Sequence, residues 1–288
     1  MPSKGGDKLV QAAKKWLPKI FDESWTASGS MVGIAGGAKD ATSRDAPVSS
    51  QVFEHIYRDP KNHNPMWDVQ RPQGEIIRLE NMGKFRGTIL DLGCGVGDNA
   101  IYLGQKGYNV VGVDLVKSAI EEAKSRLKAA QSEQRLAGDV QFIVADVLAL
   151  QGVLGPANLV PKKYDVMLDS AAIHCLGNDD NKLKYLLGLR KHCRRDTELI
   201  LMCHSDKNPN PKDGSPWKGP QRMNDIALKM LLTKAGWEPY MQEEVRYDDR
   251  ISEGGGMYAH LFVSRLRSDA EEIVRGHQPP ERPPSSKM

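Results

Sequence analysis

The stretch ILDLGCGVGDN, residues 89–99, sets an apolar run directly against three alternating glycines, Gly93, Gly95 and Gly97. A short apolar run ending in glycines reads as a buried strand that enters a tight turn. Glycine has no Cβ, so the backbone there can turn sharply and let a ligand approach closely. A glycine-rich turn after a strand serves several nucleotide-binding folds, and its neighbours must decide among them.

Outward from the turn, strands and helices alternate. GTILDL (87–92) is the first strand, and the pattern from Asp98 to Lys106 suits a helix closed by Gly107. NVVGVDL (109–115) is a second strand, followed by the amphipathic helix VKSAIEEAKSRLKAA (116–130). VQFIVADV (140–147) and YDVMLDS (164–170) are strands three and four. NKLKYLLGLRKHC (181–193) reads as a helix, ELILMCHSD (198–206) as a strand and MNDIALKMLLTKAGW (223–237) as the last helix. Two strands, roughly 239–248 and 257–266, follow with no helix between them, so at least one should be antiparallel. The expected fold is therefore α/β: a Rossmann-like, doubly wound, mostly parallel seven-stranded sheet with an antiparallel strand near the C-terminus. In such a sheet a ligand sits beyond the carboxyl ends of the strands, where strand order reverses.

Four acids fall at four successive strand ends: Asp91, Asp114, Asp146 and Asp169. Taken singly, an aspartate there is an ordinary cap or turn residue. Together, after one glycine-rich turn, they form a set. A dinucleotide-binding turn would need glycine at position 98, where this chain has Asp98. Asp91 would repel a pyrophosphate and suits the cationic ammonium of a methionine moiety. Asp114, with Leu115 beside it, can accept hydrogen bonds from ribose hydroxyls. Asp146 is placed for an adenine amino group, with the Val147 N–H for a ring nitrogen. Asp169 is expected next to the reacting group. Gly93 and Gly95 complete the expected cofactor contacts.

The totals bound the partners. The chain has 288 residues, with 40 basic and 37 acidic, a balance that gives no basic block for nucleic acid. Four cysteines lack metal-site spacing and point to a reducing, cytoplasmic setting. No apolar run reaches the ~20 residues that span a bilayer, so no stable membrane insertion is expected. Residues 1–50 are expected to be an N-terminal amphipathic helix (KLVQAAKKWLPKIF, 8–21) and a flexible linker, serving as a lid or as a targeting segment. Residues 51–267 should form the domain, and 268–288 a disordered tail.

The turn and its acids carry a resemblance. Residues 65–266 are similar to class I S-adenosylmethionine-dependent methyltransferases, and most similar to the thiol and halide methyltransferases with the related thiopurine enzymes. Three segments carry the narrower likeness: PMWDVQRPQ (65–73), LILMCHSD (199–206) and GPQRMNDIALKMLL (219–232). The resemblance implies that Trp67 touches the cofactor, S-adenosyl-L-methionine. Tyr57 is the aromatic near the place where the family has a further tryptophan, and the segment DSAAIHCLGNDD departs from the family's more aromatic version.

Methyl transfer to a small-molecule acceptor, a thiol or halide first, needs positioning more than proton removal, since a thiol with a pKa of ~8.5 is already partly ionised near neutrality. His174, five residues past Asp169, is the candidate general base for acceptors that must lose a proton. His204 and Tyr57 are expected to line the acceptor pocket. Trp25 and the N-terminal helix could roof it, and Trp217 with Arg222 could form a wall. Cys175 reads as a packing residue. An N- or O-methyltransferase for a small aromatic or amine is the rival enzyme reading. A protein or RNA methyltransferase, or a binding module without catalysis, is a third.

Overall fold

The computed structural model describes residues 47–58, 65–154, 163–210, 220–250 and 255–267. The expected N-terminal helix, most of the linker, Trp25, Trp217 and the C-terminal tail lie outside the described residues.

Seven strands form one sheet: β1 (Thr88–Leu92), β2 (Asn109–Asp114), β3 (Val140–Val144), β4 (Tyr164–Ser170), β5 (Cys193–His204), β6 (Trp237–Tyr247) and β7 (Met257–Leu266). Their order is β3-β2-β1-β4-β5-β7-β6. Strands β3, β2, β1, β4 and β5 run parallel, and β7 is antiparallel to both β5 and β6. The order reverses between β1 and β4, which opens a crevice at their carboxyl ends.

Six helices accompany the sheet among the described residues: α1 (Ser50–Arg58), α2 (Gly74–Asn81), α3 (Asp98–Gln105), α4 (Lys117–Ser132), α5 (Asp179–Leu189) and α6 (Asp225–Lys234). Strand alternation divides the core between the two faces. On one face Ile89, Val166, Leu168, Ile200 and Met202 pack with Ile76 of α2, Leu103 of α3 and Ile120 of α4. On the other, Leu90, Leu92, Met167 and Leu201 pack with Tyr185 of α5 and Leu228 of α6.

Boundaries differ from the sequence reading at two places. The helix expected over 181–193 ends at Leu189, passes through a 3-10 turn at Arg190–His192, and gives way to β5 at Cys193. The helix expected to reach 237 stops at Lys234. Ala235 follows it and Gly236 turns with φ 84°, so Trp237 already belongs to β6. Trp237 is fully buried, and its Nε1–H donates to the Leu186 carbonyl at 3.1 Å. Trp237→Phe should therefore lower the unfolding free energy by about 1–2 kcal/mol through an orphaned carbonyl and a small void. A urea midpoint unchanged from wild type would show that this bond contributes nothing.

Candidate functional site

The glycine turn is built as the sequence requires. Gly93, Gly95 and Gly97 all take the left-handed backbone, with φ of 68°, 53° and 87°. A Cβ on Gly97 would lie 2.4 Å from the Phe142 ring, and one on Gly93 2.7 Å from the Ala172 methyl. Those two glycines permit close packing. A Cβ on Gly95 would instead face the Tyr57 hydroxyl at 3.3 Å across the crevice. The N–H groups of Gly93 and Cys94 both donate to the Val113 carbonyl, which fixes the turn against β2.

A cavity of about 300 Å³ opens beyond this turn. Of the residues expected at the site, Trp67, Gly93, Gly95, Asp114, Leu115, Asp146, Val147, Tyr57, His174 and His204 all line it. Asp114 Oδ2 accepts from the Gly95 N–H and Oδ1 from the Val116 N–H, each at 2.9 Å. The Leu115 N–H adds a further bond to this carboxylate, which still keeps acceptor capacity for a ligand. Asp146 Oδ1 accepts from the Leu148 N–H at 2.8 Å.

Asp91 and Asp169 lie beneath the cavity and not on its wall. Asp91 is buried, and its Oδ2 has no hydrogen-bond partner. Burial first, then Asp169 and Asp114, push its carboxyl up to about 8. Asp169 has a different place from the one expected next to the reacting group. Strand alternation turns it, with Met167, toward α5, where its carboxylate accepts from Tyr185 Oη–H at 2.8 Å and from the N–H groups of Ala172 and Ile173. Its work is to hold the turn that follows β4, where Ala171 takes a left-handed φ of 80°.

The segment 65–73 crosses above the turn because two anchors hold it. Arg126 of α4 donates to Asp68 at 2.7 Å and to Asp98 at 3.0 Å. The Gln73 N–H donates to Asn99 Oδ1 at 3.0 Å, and its side-chain amide brackets the backbone of Asp248. Trp67 is thereby set over the crevice, where its Nε1–H donates to Tyr57 Oη at 3.0 Å and its ring meets Phe53 edge-on.

The far end of the cavity was only partly legible in the sequence. Ser170, His204 and Tyr247 each stand two residues after a core residue of the same face, namely Leu168, Met202 and Val245, so all three reach the same side. The alternation was a signal that could have found Ser170 and Tyr247. His174 comes from the 3-10 turn Ile173–Cys175. Its ring lies 4.4 Å from that of His204, which in turn meets Tyr247 edge-on at 5.5 Å. Burial, helped by His204 and Lys182, drives His174 well below the usual histidine range, and burial lowers His204 to about 4. His174 Nδ1 accepts from the His204 N–H at 3.2 Å. That lone pair is the one a general base would need, so the geometry argues against the base role expected for His174. Arg222 is not a cavity wall. It donates to the Asn208 carbonyl and to Asn210 Oδ1, while Pro220 lines the cavity. Cys175 lines it too, with its thiol pushed up by burial.

The residues present fit an adenosyl sulfonium cofactor. The orphaned Asp91 oxygen calls for a cationic donor, and Asp114 offers paired acceptors. Asp98 at the start of α3, held by Arg126, occupies the helix end where a pyrophosphate would otherwise be bound.

A family model described as a methyltransferase domain matches residues 85–243, and the chain belongs to that family, the class I S-adenosylmethionine-dependent methyltransferases. Among curated relatives, a Mycobacteroides abscessus 2-heptyl-1-hydroxyquinolin-4(1H)-one methyltransferase is 32% identical over 129 residues, 43% of this chain. The match spans about half of that enzyme, 52% of its length. An uncharacterised methyltransferase of Schizosaccharomyces pombe is 29% identical over 153 residues, 53% of this chain and 94% of its own. In fold, the chain resembles the structure solved for conversion of a disulfide bond into a thioacetal group during echinomycin biosynthesis. There the TM-score is 0.62 at 24% identity, over 80% of this chain and 100% of the other. A Methanosarcina mazei S-adenosylmethionine-dependent methyltransferase gives 0.52 at 16% identity, over 62% and 92%. No helix among the described residues is long and apolar enough to cross a membrane.

Proposed function

We propose that the domain at residues 51–267 moves a methyl group from S-adenosylmethionine to a small-molecule acceptor, with a thiol or halide as the first choice of nucleophile. The bound cofactor supplies an electrophilic methyl carbon on a sulfonium. Asp91, set beneath the cavity floor, supplies the nearby carboxylate for the methionine ammonium, Asp114 meets the ribose hydroxyls, and Asp146 with the Val147 N–H the adenine. Leu115 and Trp67 close on the apolar faces, and Gly95 leaves room for the approach. Phe53, Tyr57, Met66, Leu176 and Met257 give the cavity an apolar lining suited to a small acceptor. The chain's task is to hold the nucleophile about 3–3.5 Å from the methyl, opposite the sulfur.

One observation carries the choice of acceptor. His174 Nδ1 already accepts the His204 N–H, and burial lowers the basicity of both rings, so neither is a good base for an acceptor near neutral pH. A nucleophile that arrives ionised suits such a pocket. The mycobacterial relative is named for a hydroxyquinolinone, which favours a flat N- or O-nucleophile as the second reading. A panel of thiols, iodide, phenols and amines with labelled cofactor tests the choice. Turnover of thiols and iodide, with phenols and amines at least ~10²-fold slower, is expected, that being the usual worth of the missing base. Methylation of phenols or amines alone would overturn the thiol assignment.

A further inference from the structure

The hydrogen bond between His174 and His204 has a chemical consequence at the acceptor end. The two nitrogens of a neutral imidazole divide the roles of donor and acceptor, and the bond made by one fixes the state of the other. His174 Nδ1 accepts the backbone N–H of His204, within a buried contact. Nε2 therefore carries the proton. No described side chain or carbonyl accepts from it, and His174 contributes to the cavity wall.

The surroundings hold that tautomer in place. His174 sits in a turn whose N–H groups are fixed by Asp169, and Val48 N–H ties the adjoining Cys175 carbonyl at 2.8 Å. The charged and titratable groups around the ring are His204 on β5, Tyr247 on β6, Cys175 beside it, Lys182 on α5, and Asp249 elsewhere on the cavity wall. Lys182 is fully buried and spends its ammonium on the Gly177 carbonyl and Asp179, at 3.2 Å from the latter. A positive neighbour of that kind opposes a second proton on His174 and leaves its ring a neutral N–H donor.

We infer that His174 is an N–H donor aimed at the acceptor, which selects a molecule whose nucleophilic atom, or an atom conjugated with it, is an anion such as a thiolate or an aryl oxide. This deepens the functional reading above and rests on it. A donor in a water-poor pocket favours the anionic form of the acceptor, which then releases its proton to solvent on binding. A base at the same place would keep that proton on the protein.

Two coloured acceptors read this without turnover. 4-Nitrothiophenol and 4-nitrophenol absorb differently as acid and anion, and each can be titrated with pH on the full chain saturated with S-adenosylhomocysteine. Bound to wild type, the probe should ionise at a pH lower by about one unit, a tenfold shift. Calorimetry in buffers of different ionisation heat, at a pH midway between the free and bound ionisation points, should count about half a proton released per probe bound, as a tenfold shift requires. His174→Leu should return the bound ionisation to its solution value. His174→Gln, which can donate from nearly the same point, should keep most of the shift. A cooperative melting transition and unchanged S-adenosylhomocysteine affinity would show that both variants fold, His174→Leu melting somewhat lower because the His204 N–H loses its acceptor.

Binding with no proton released would show that the site does not favour the anion and would overturn the inference. So would a His174→Leu variant that retains the shift, because the ring would then not face the acceptor. Should His174→Leu fail to fold, loss of the shift in His174→Gln would overturn the inference, and retention would support it. A wild-type protein that methylates thiols with no shifted ionisation fails the His174 assignment alone. One that binds neither probe and methylates only amines fails the acceptor reading, and the His174 assignment with it.

Discussion

Asp114→Ala should weaken S-adenosylmethionine binding about 10²–10³-fold in a protein that still folds. The side chain has two jobs in one place. It accepts from the Gly95 and Val116 N–H groups, and its remaining lone pairs face the cavity where the ribose is proposed to lie. Alanine would lose the ligand bonds and release the glycine turn, two effects worth about 1.5–3 kcal/mol and ~1 kcal/mol. Asp114→Asn keeps one acceptor and should lose less. Equal affinity in a folded Asp114→Ala protein, measured by calorimetry, would remove this residue from the site.

Asp91→Asn should move stability and affinity in opposite directions. The Asp91 carboxyl ionises near 8 in the folded chain, against an ordinary value of 3.8, first because it is buried and then because Asp169 and Asp114 are close. Between those two values the folded state holds a proton that the unfolded chain has released. Stability of the ligand-free protein is therefore fullest below the lower value and is lost as pH rises toward the upper one. Asparagine carries no charge to bury, so Asp91→Asn should gain about 1–3 kcal/mol at pH 8 and flatten that slope. It should also bind S-adenosylmethionine ~10–100-fold less tightly, for want of a charged partner to the ammonium. Asp169, raised to about 6 by burial, leaves a smaller slope of the same sign in both proteins. Melting curves from pH 4 to 8 check the first half, and a variant no more stable than wild type at pH 8 would show that Asp91 is not strained.

Such opposition is expected where a carboxylate is kept buried for a ligand. The sequence carried much of this arrangement in plain form. Three glycines after an apolar run can only be a turn, and left-handed φ at all three follows from their lacking a Cβ. The seven strands and the late reversal were legible because buried strands are short apolar runs and the last two lack a crossover helix. The acids at strand ends were legible as a set, but strand end alone does not say which way a side chain points. Asp114 follows Val113 and reaches the cavity, whereas Asp169 follows Leu168 and turns under α5. Counting alternation from the core residues would have separated them. Helix α2 escaped notice because Ile76 and Leu79 are its only two buried residues, too few to show a period. The roles of Arg126 and Tyr185 rest on contacts across 58 and 16 residues of chain, which no local pattern carries.

The central claim is that the crevice lined by Asp114 and Asp146, with Asp91 beneath it, holds S-adenosylmethionine and not a dinucleotide. Calorimetric titration of the full chain with S-adenosylmethionine, and in parallel with NAD, tests it most directly. One equivalent of S-adenosylmethionine should bind with a Kd of order 1–10 μM, about −7 to −8 kcal/mol, and NAD should give no binding heat. Tight NAD binding, or no detectable S-adenosylmethionine binding by a folded protein, would contradict it.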